Sequence, residues 1–133
     1  MQIYCKSDNK YHYKNELPTT LKPFFNHRFS SGPITGEDFN LFNTKYKNVI
    51  KKLLPVGYSI HSWKKNHYES SGMILTPDGR YIYISFSDVR YFPNEWASDI
   101  MIRTANSPKD WTGGINHITS LFTFTDDIQK LYR

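Results

Sequence analysis

The sequence predicts an α+β domain: one main amphipathic helix packed on an antiparallel sheet of about four to five strands, with a short C-terminal helix. Three features carry that expectation. Apolar side chains recur every three or four residues from Phe39 to Leu53, and the period changes to two after Gly57. Pro77-Asp78-Gly79 then separates two apolar runs. All 133 residues are expected to form a single compact domain, with residues 1–34 an irregular N-terminal segment packed on it.

In that first segment, Ile3 to Lys6 suits a short strand, and Pro18, Pro23 and Pro33 interrupt any helix that follows. Phe24, Phe25 and Phe29 are expected against the domain, because three exposed phenylalanines are costly in water. The main helix starts at Thr35, a capping residue with Asp38 at the capping-box position. Phe39, Phe42, Tyr46, Val49, Ile50 and Leu53 form its apolar stripe. Lys51 and Lys52 suit the negative end of the helix, and Pro55 and Gly57 stop it.

Tyr58 to Trp63 is the first strand of the sheet, with Tyr58, Ile60 and Ser62 expected on one side and Ser59, His61 and Trp63 on the other. Met73–Thr76 and Tyr81–Ser87 form a hairpin around Pro77-Asp78-Gly79, where Pro sets φ and Gly accepts a positive one. Ile82, Ile84 and Phe86 share one face, and Tyr81, Tyr83 and Ser85 the other. Ile100–Thr104 and Ile115–Thr125 are further strands, and Thr125-Asp126-Asp127 caps a helix ending near Leu131 or Tyr132.

Composition bounds function. Aromatic residues make up 17% of the chain, which argues against disorder. No apolar run approaches the ~20 residues of a membrane span, and Met1 to Lys6 has no secretory h-region. A lone Cys5 forms no internal disulfide and no zinc motif. No cofactor, metal or membrane partner is expected, and the cytoplasm is the expected compartment, that of a host cell if the chain is phage-encoded. In its Asn, Lys, Ile and Tyr content the chain resembles small proteins of AT-rich phages or mobile elements, for which counter-defence is a natural use.

The formal charge of +5 is unevenly spread. Residues 1–69 hold eleven Lys or Arg against five acids, whereas residues 70–133 hold six against seven. The first half is lysine-rich, supplying long-range attraction; the second carries mostly arginine, whose planar fork suits phosphate or carboxylate.

Four groups are candidates for chemistry. The histidines, His12, His27, His61, His67 and His117, lack HExxH or paired-carboxylate spacing, and His117-Ile118-Thr119 is a single H-x-[ST] element where two-histidine phosphoesterases use two. Ser62-Trp63-Lys64-Lys65-Asn66-His67-Tyr68, between the first two strands and otherwise a solvent-exposed turn, interleaves cations with rings that stack on bases. Arg80, Asp88, Arg90 and Arg103 lie near strand ends, with Asp88–Arg90 and Asp99–Arg103 as candidate ion pairs. Finally, Gly113 and Gly114 lie beside Asn116 in a polar loop containing Trp111, and a Gly-Gly pair lets backbone amides face an anion without Walker spacing.

The first expectation is therefore a non-enzymatic binding protein for a phosphate-rich ligand, either nucleic acid or a signalling nucleotide. Its site would comprise Lys64, Lys65, His67, Tyr68, Arg80, Arg90, Arg103, Gly113, Gly114 and Asn116. Counter-defence would then mean sequestering a nucleotide signal or blocking a nucleic-acid-handling protein. A metal-independent phosphodiesterase or toxin-like ribonuclease is the alternative, with His67 or His117 as base, Tyr68 as auxiliary acid and Arg90 or Arg103 as clamp. A protein–protein inhibitor using an exposed aromatic patch is a third.

Overall fold

A computed structural model describes residues 2–16, 36–66, 69–86, 98–110 and 114–132. The chain is α+β, and its described residues include a two-stranded hairpin, a five-stranded antiparallel sheet and two helices. In order, the elements are β1 (Gln2–Cys5), β2 (Lys10–Tyr13), a 3-10 turn (Lys14–Glu16), α1 (Gly36–Leu53), β3 (Ser59–Asn66), β4 (Glu69–Leu75), β5 (Tyr81–Phe86), β6 (Ile100–Ala105), β7 (His117–Thr119) and α2 (Phe124–Lys130). Strands β3 to β7 pair with their sequence neighbours as a meander. Each connection is therefore local.

Tyr46, Val49, Ile50 and Leu53 of α1 are buried, whereas Lys45, Lys47, Lys51 and Lys52 are exposed. This is the stripe that the sequence spacing predicts. Thr35 lies outside the described residues, and Phe39 and Phe42 lie where only the backbone is described. Opposite the helix stripe sit Ile74, Ile82, Ile84, Ile100 and Ile102, all fully buried and β-branched. Each such burial contributes roughly 1.5–3 kcal/mol relative to exposure. Phe124 and Ile128 bring α2 into the same core, and Thr125 Oγ1 donates to the Leu53 carbonyl at 2.7 Å. Thr125 therefore satisfies the end of α1 rather than the start of its own helix.

The Thr76–Arg80 turn joins β4 and β5 as expected, with Gly79 at φ 84° and Gly79 N–H donating to the Thr76 carbonyl. Three expectations are corrected. Residues 2–13 form a β-hairpin rather than an irregular segment: Ile3 and Cys5 point into the core, and His12 stacks on Phe122 at 4.8 Å. The expected strand 115–125 is only the three-residue β7, because residues 121–123 turn directly into α2. Residues 64–66 extend β3 beyond the expected end at Trp63 instead of forming a turn.

The third correction has a cause in the register. Ile60 pairs with Ile74, but Ser62 pairs with Met73, so His61 is the extra residue of a β-bulge. Simple alternation would place Ser62 and Lys64 toward the core. The bulge reverses the pleat, and Trp63 takes the inward position opposite Gly72. A Cβ at Gly72 would lie 2.6 Å from the Trp63 ring, so glycine makes room for the indole. Trp63 Nε1 donates to Asn43 Oδ1 at 3.0 Å, and the ring packs on the core. Trp63 is thus partly buried and packs against the core.

Candidate functional site

The same bulge sends Lys64 to the sheet face opposite α1. The register then places Lys64, Ser71, Ser85 and Met101 in one row, and Met73, Tyr83 and Arg103 in the next. Lys64 is exposed, whereas Tyr83, Ser85, Met101 and Arg103 are half-buried. Ser62 shares this face, and its buried hydroxyl has no hydrogen-bond partner among the described residues.

Arg103 is the best-positioned cation of that face. Its guanidinium carbon lies 4.4 Å from the Tyr83 ring centroid, and Nη1 donates to Asn116 Oδ1 at 3.3 Å. Stacking fixes the plane of the guanidinium, and the Asn116 bond fixes its rotation. Asn116 arrives there because the β6–β7 loop folds back on β6. Gly114, at φ 81°, lies so close that a Cβ would meet the Thr104 carbonyl oxygen at 2.3 Å. Only glycine satisfies both the backbone angle and the contact. At the other end of that loop, the Asn106 amide donates to Asp110 Oδ2 at 2.9 Å.

Of the ten residues expected from sequence, the structure brings together Arg103, Gly114 and Asn116, with Lys64 on the same face three strands away. A strand spacing of about 4.8 Å puts Lys64 and Arg103 on the order of 14 Å apart across the sheet. Lys65 lies in β3 on the alternate pleat. His67, Tyr68, Arg90 and Gly113 lie outside the described residues, as do Asp88 and Trp111. Arg80 does not join the group. It pairs with Asp78 at 3.1 Å and lies over Tyr132 at 4.9 Å, on the helix side of the sheet. The Thr76 hydroxyl and then Arg80 hold the Asp78 carboxyl below its usual range. Both partners of this pair are more than half exposed, so solvent screens it and it contributes little.

The expected Asp99–Arg103 pair is replaced by a Lys6–Asp99 contact at 3.6 Å, which ties the N-terminal hairpin to the start of β6. His117 pairs with Ile102 and so lies on the helix side, away from Arg103. That separation removes the His117–Arg103 base-and-clamp arrangement. His12 has Asp8 at 2.7 Å on one nitrogen and Glu16 at 2.9 Å on the other. Glu16, and then Asp8, raise the His12 pKa against the opposing effect of burial. These carboxylates bind opposite sides of the ring and converge on no common point. Among the described residues no cluster is suited to holding a metal ion, and no helix is long and apolar enough to cross a membrane.

Comparisons with protein-family models, with curated proteins and with solved structures each return no match. Any functional reading rests on the geometry alone.

One functional candidate missing from the sequence expectation is Tyr83. Its alternation away from Ile82 and Ile84 was legible, but its cross-strand pairing with Arg103 required the register. A second is the outer face of the N-terminal hairpin, where Tyr4 and Tyr11 are 44% and 62% exposed and meet edge to face at 5.1 Å.

Proposed function

We propose that this chain is a non-enzymatic binding protein for a phosphate-rich ligand, nucleic acid or a signalling nucleotide, engaged on the sheet face opposite α1. The observation that carries this reading is the orientation of Arg103 by Tyr83 and Asn116 on the face that also presents Lys64. An oriented guanidinium suits phosphate oxygens, and charge-assisted bonds of this kind are about twice as strong as neutral ones. Lys64 then meets a second phosphate on a ligand too long to be a mononucleotide.

Tyr83 contributes by holding the Arg103 guanidinium over its ring. Lysine exposed along α1 and at Lys10 and Lys64 adds attraction that accelerates encounter without choosing sequence. Counter-defence by sequestration of a nucleotide signal, in a host cytoplasm, is the biological use this chemistry suits.

Isothermal calorimetry at low salt against cyclic dinucleotides and short oligonucleotides tests the proposal. Saturable heat with at least one is expected, and for an oligonucleotide the affinity falls linearly in log–log against salt. Absence of heat with every probe overturns it. A second reading, docking of a partner protein, rests on the Tyr4–Tyr11 patch; loss of a co-purifying protein on Tyr11→Ser, with nucleotide binding absent, would favour it.

A further inference from the structure

The open edge of the sheet holds a second concavity. A cleft of about 340 Å³ lies between the β6–β7 edge and the end of α2, lined by Ile102, His117, Ile118, Asp127, Lys130 and Leu131. It is separate from the Arg103 face, because Ile102 belongs to the core on the helix side and His117 is its cross-strand partner.

The lining divides by chemistry. Ile102 is fully buried, Leu131 packs against the core, and Ile118 is 44% exposed at the mouth. Asp127 is already engaged: its Oδ2 accepts the Thr119 hydroxyl at 2.7 Å and the Thr123 hydroxyl at 2.8 Å. Those bonds fix the carboxylate, join β7 to α2 and hold the cleft walls in place. His117 and Lys130 are both exposed, and the side chain of neither makes a hydrogen bond or ion pair among the described residues. An ammonium and an imidazole thus border an apolar floor with no protein acceptor assigned to them.

Charge and size narrow the ligand. Lys130 and Asp127 carry opposite formal charges, so the lining has little net charge to offer a polyanion. It does offer two donors to one anionic group. In volume the cleft is roughly twice a 150 Å³ cavity that accepts benzene. It is at the small end of the range for ligand sites.

We infer that this cleft binds a small apolar monocarboxylate, aryl or branched aliphatic. The carboxylate meets Lys130 Nζ and a His117 ring N–H, and the apolar body lies on Ile102 and Leu131. The site takes a different ligand class from the Arg103 face, and either can be lost without the other.

The test is a titration of the full-length ¹⁵N-labelled chain with benzoate, followed by amide chemical shifts. Saturable shifts confined to residues 101–103, 117–119 and 127–131 are expected, with an affinity in the range of about 1 mM. Lys130→Met should weaken binding about tenfold, and His117→Phe should weaken it less. Both side chains are exposed, so unchanged spectra elsewhere will report an intact fold. Benzamide, of the same shape without the charge, should not saturate at the same concentrations. Arg103→Ala should bind benzoate as the parent does. Lack of saturation to about 10 mM, equal binding of benzamide, or an unaltered affinity in Lys130→Met overturns the inference.

Discussion

Arg103 and Tyr83 are direct cross-strand partners, and the guanidinium carbon lies 4.4 Å from the ring centroid. Register and stacking therefore agree, so the cation is held in a fixed plane rather than extended into solvent. A double-mutant cycle with Arg103→Met and Tyr83→Leu should return a coupling of about 0.5–1 kcal/mol in urea unfolding. Strict additivity of the two losses would show that the stack contributes nothing.

Gly114 makes a sharper demand on the β6–β7 loop. Gly114→Ala combines a left-handed backbone with a Cβ 2.3 Å from the Thr104 carbonyl, whereas Gly79→Ala has the backbone angle and open space. Gly79→Ala should cost about 1–2 kcal/mol. Gly114→Ala should cost more, and should shift the Asn116 and Arg103 resonances as the loop moves. Equal unfolding midpoints for the two variants would contradict this ranking.

The N-terminal hairpin is predicted to depend on pH through His12. Its folded pKa is raised, by Glu16 first and Asp8 next, so its contribution is full below the unfolded value of about 6.5 and is lost as pH rises through the folded one. The carboxyls act in the opposite direction. Glu16 is lowered by the Tyr13 amide and then His12; Asp8 is raised by burial but lowered overall by His12 and the Lys10 amide. Their contribution is present above their unfolded values near 4 and is lost as pH falls through the folded ones. Thermal unfolding should therefore show a Tm advantage of the parent over His12→Gln that is largest between about pH 5 and 6.5. A difference independent of pH from about 4 to 8 would refute this role of His12 between Asp8 and Glu16.

Thr125 provides a test of how the helices are joined. Thr125→Val keeps the shape and removes the 2.7 Å bond to the Leu53 carbonyl. The expected loss is about 0.5–1.5 kcal/mol, with faster amide exchange over the last turn of α1 and the first of α2. Unchanged exchange at both helix ends would show that the bond is incidental.

These features differ in how far the chain announces them. The helix stripe from Tyr46 to Leu53 and the hairpin turn at Pro77-Asp78-Gly79 depend on local spacing and turn chemistry, so both were legible. The hairpin at residues 2–13 was half legible: Ile3 suggested a strand, but its partner Lys10–Tyr13 has only one aliphatic-free polar and aromatic run, stabilised by contacts with Phe122 far along the chain. The bulge at His61 was hidden because alternation carries no mark of an inserted residue. It is the pairing of Trp63 with Gly72, nine positions later in sequence, that selects the reversed pleat. Of the candidate site, Arg103, Gly114 and Asn116 were visible as residue types, but Tyr83 became a member only through register. Arg80 was misleading for a related reason: its neighbour Asp78 and the distant Tyr132 occupy it.

The most direct measurement is the affinity of a short single-stranded oligonucleotide for the parent chain, Arg103→Ala and Lys64→Ala over a salt series. Arg103→Ala is predicted to lose about 1–3 kcal/mol of binding, roughly 5- to 150-fold, and Lys64→Ala less. Each should also lower the salt slope by about 1 for the phosphate contact removed. Parent-like affinity and slope in Arg103→Ala would contradict a phosphate-binding role for this face.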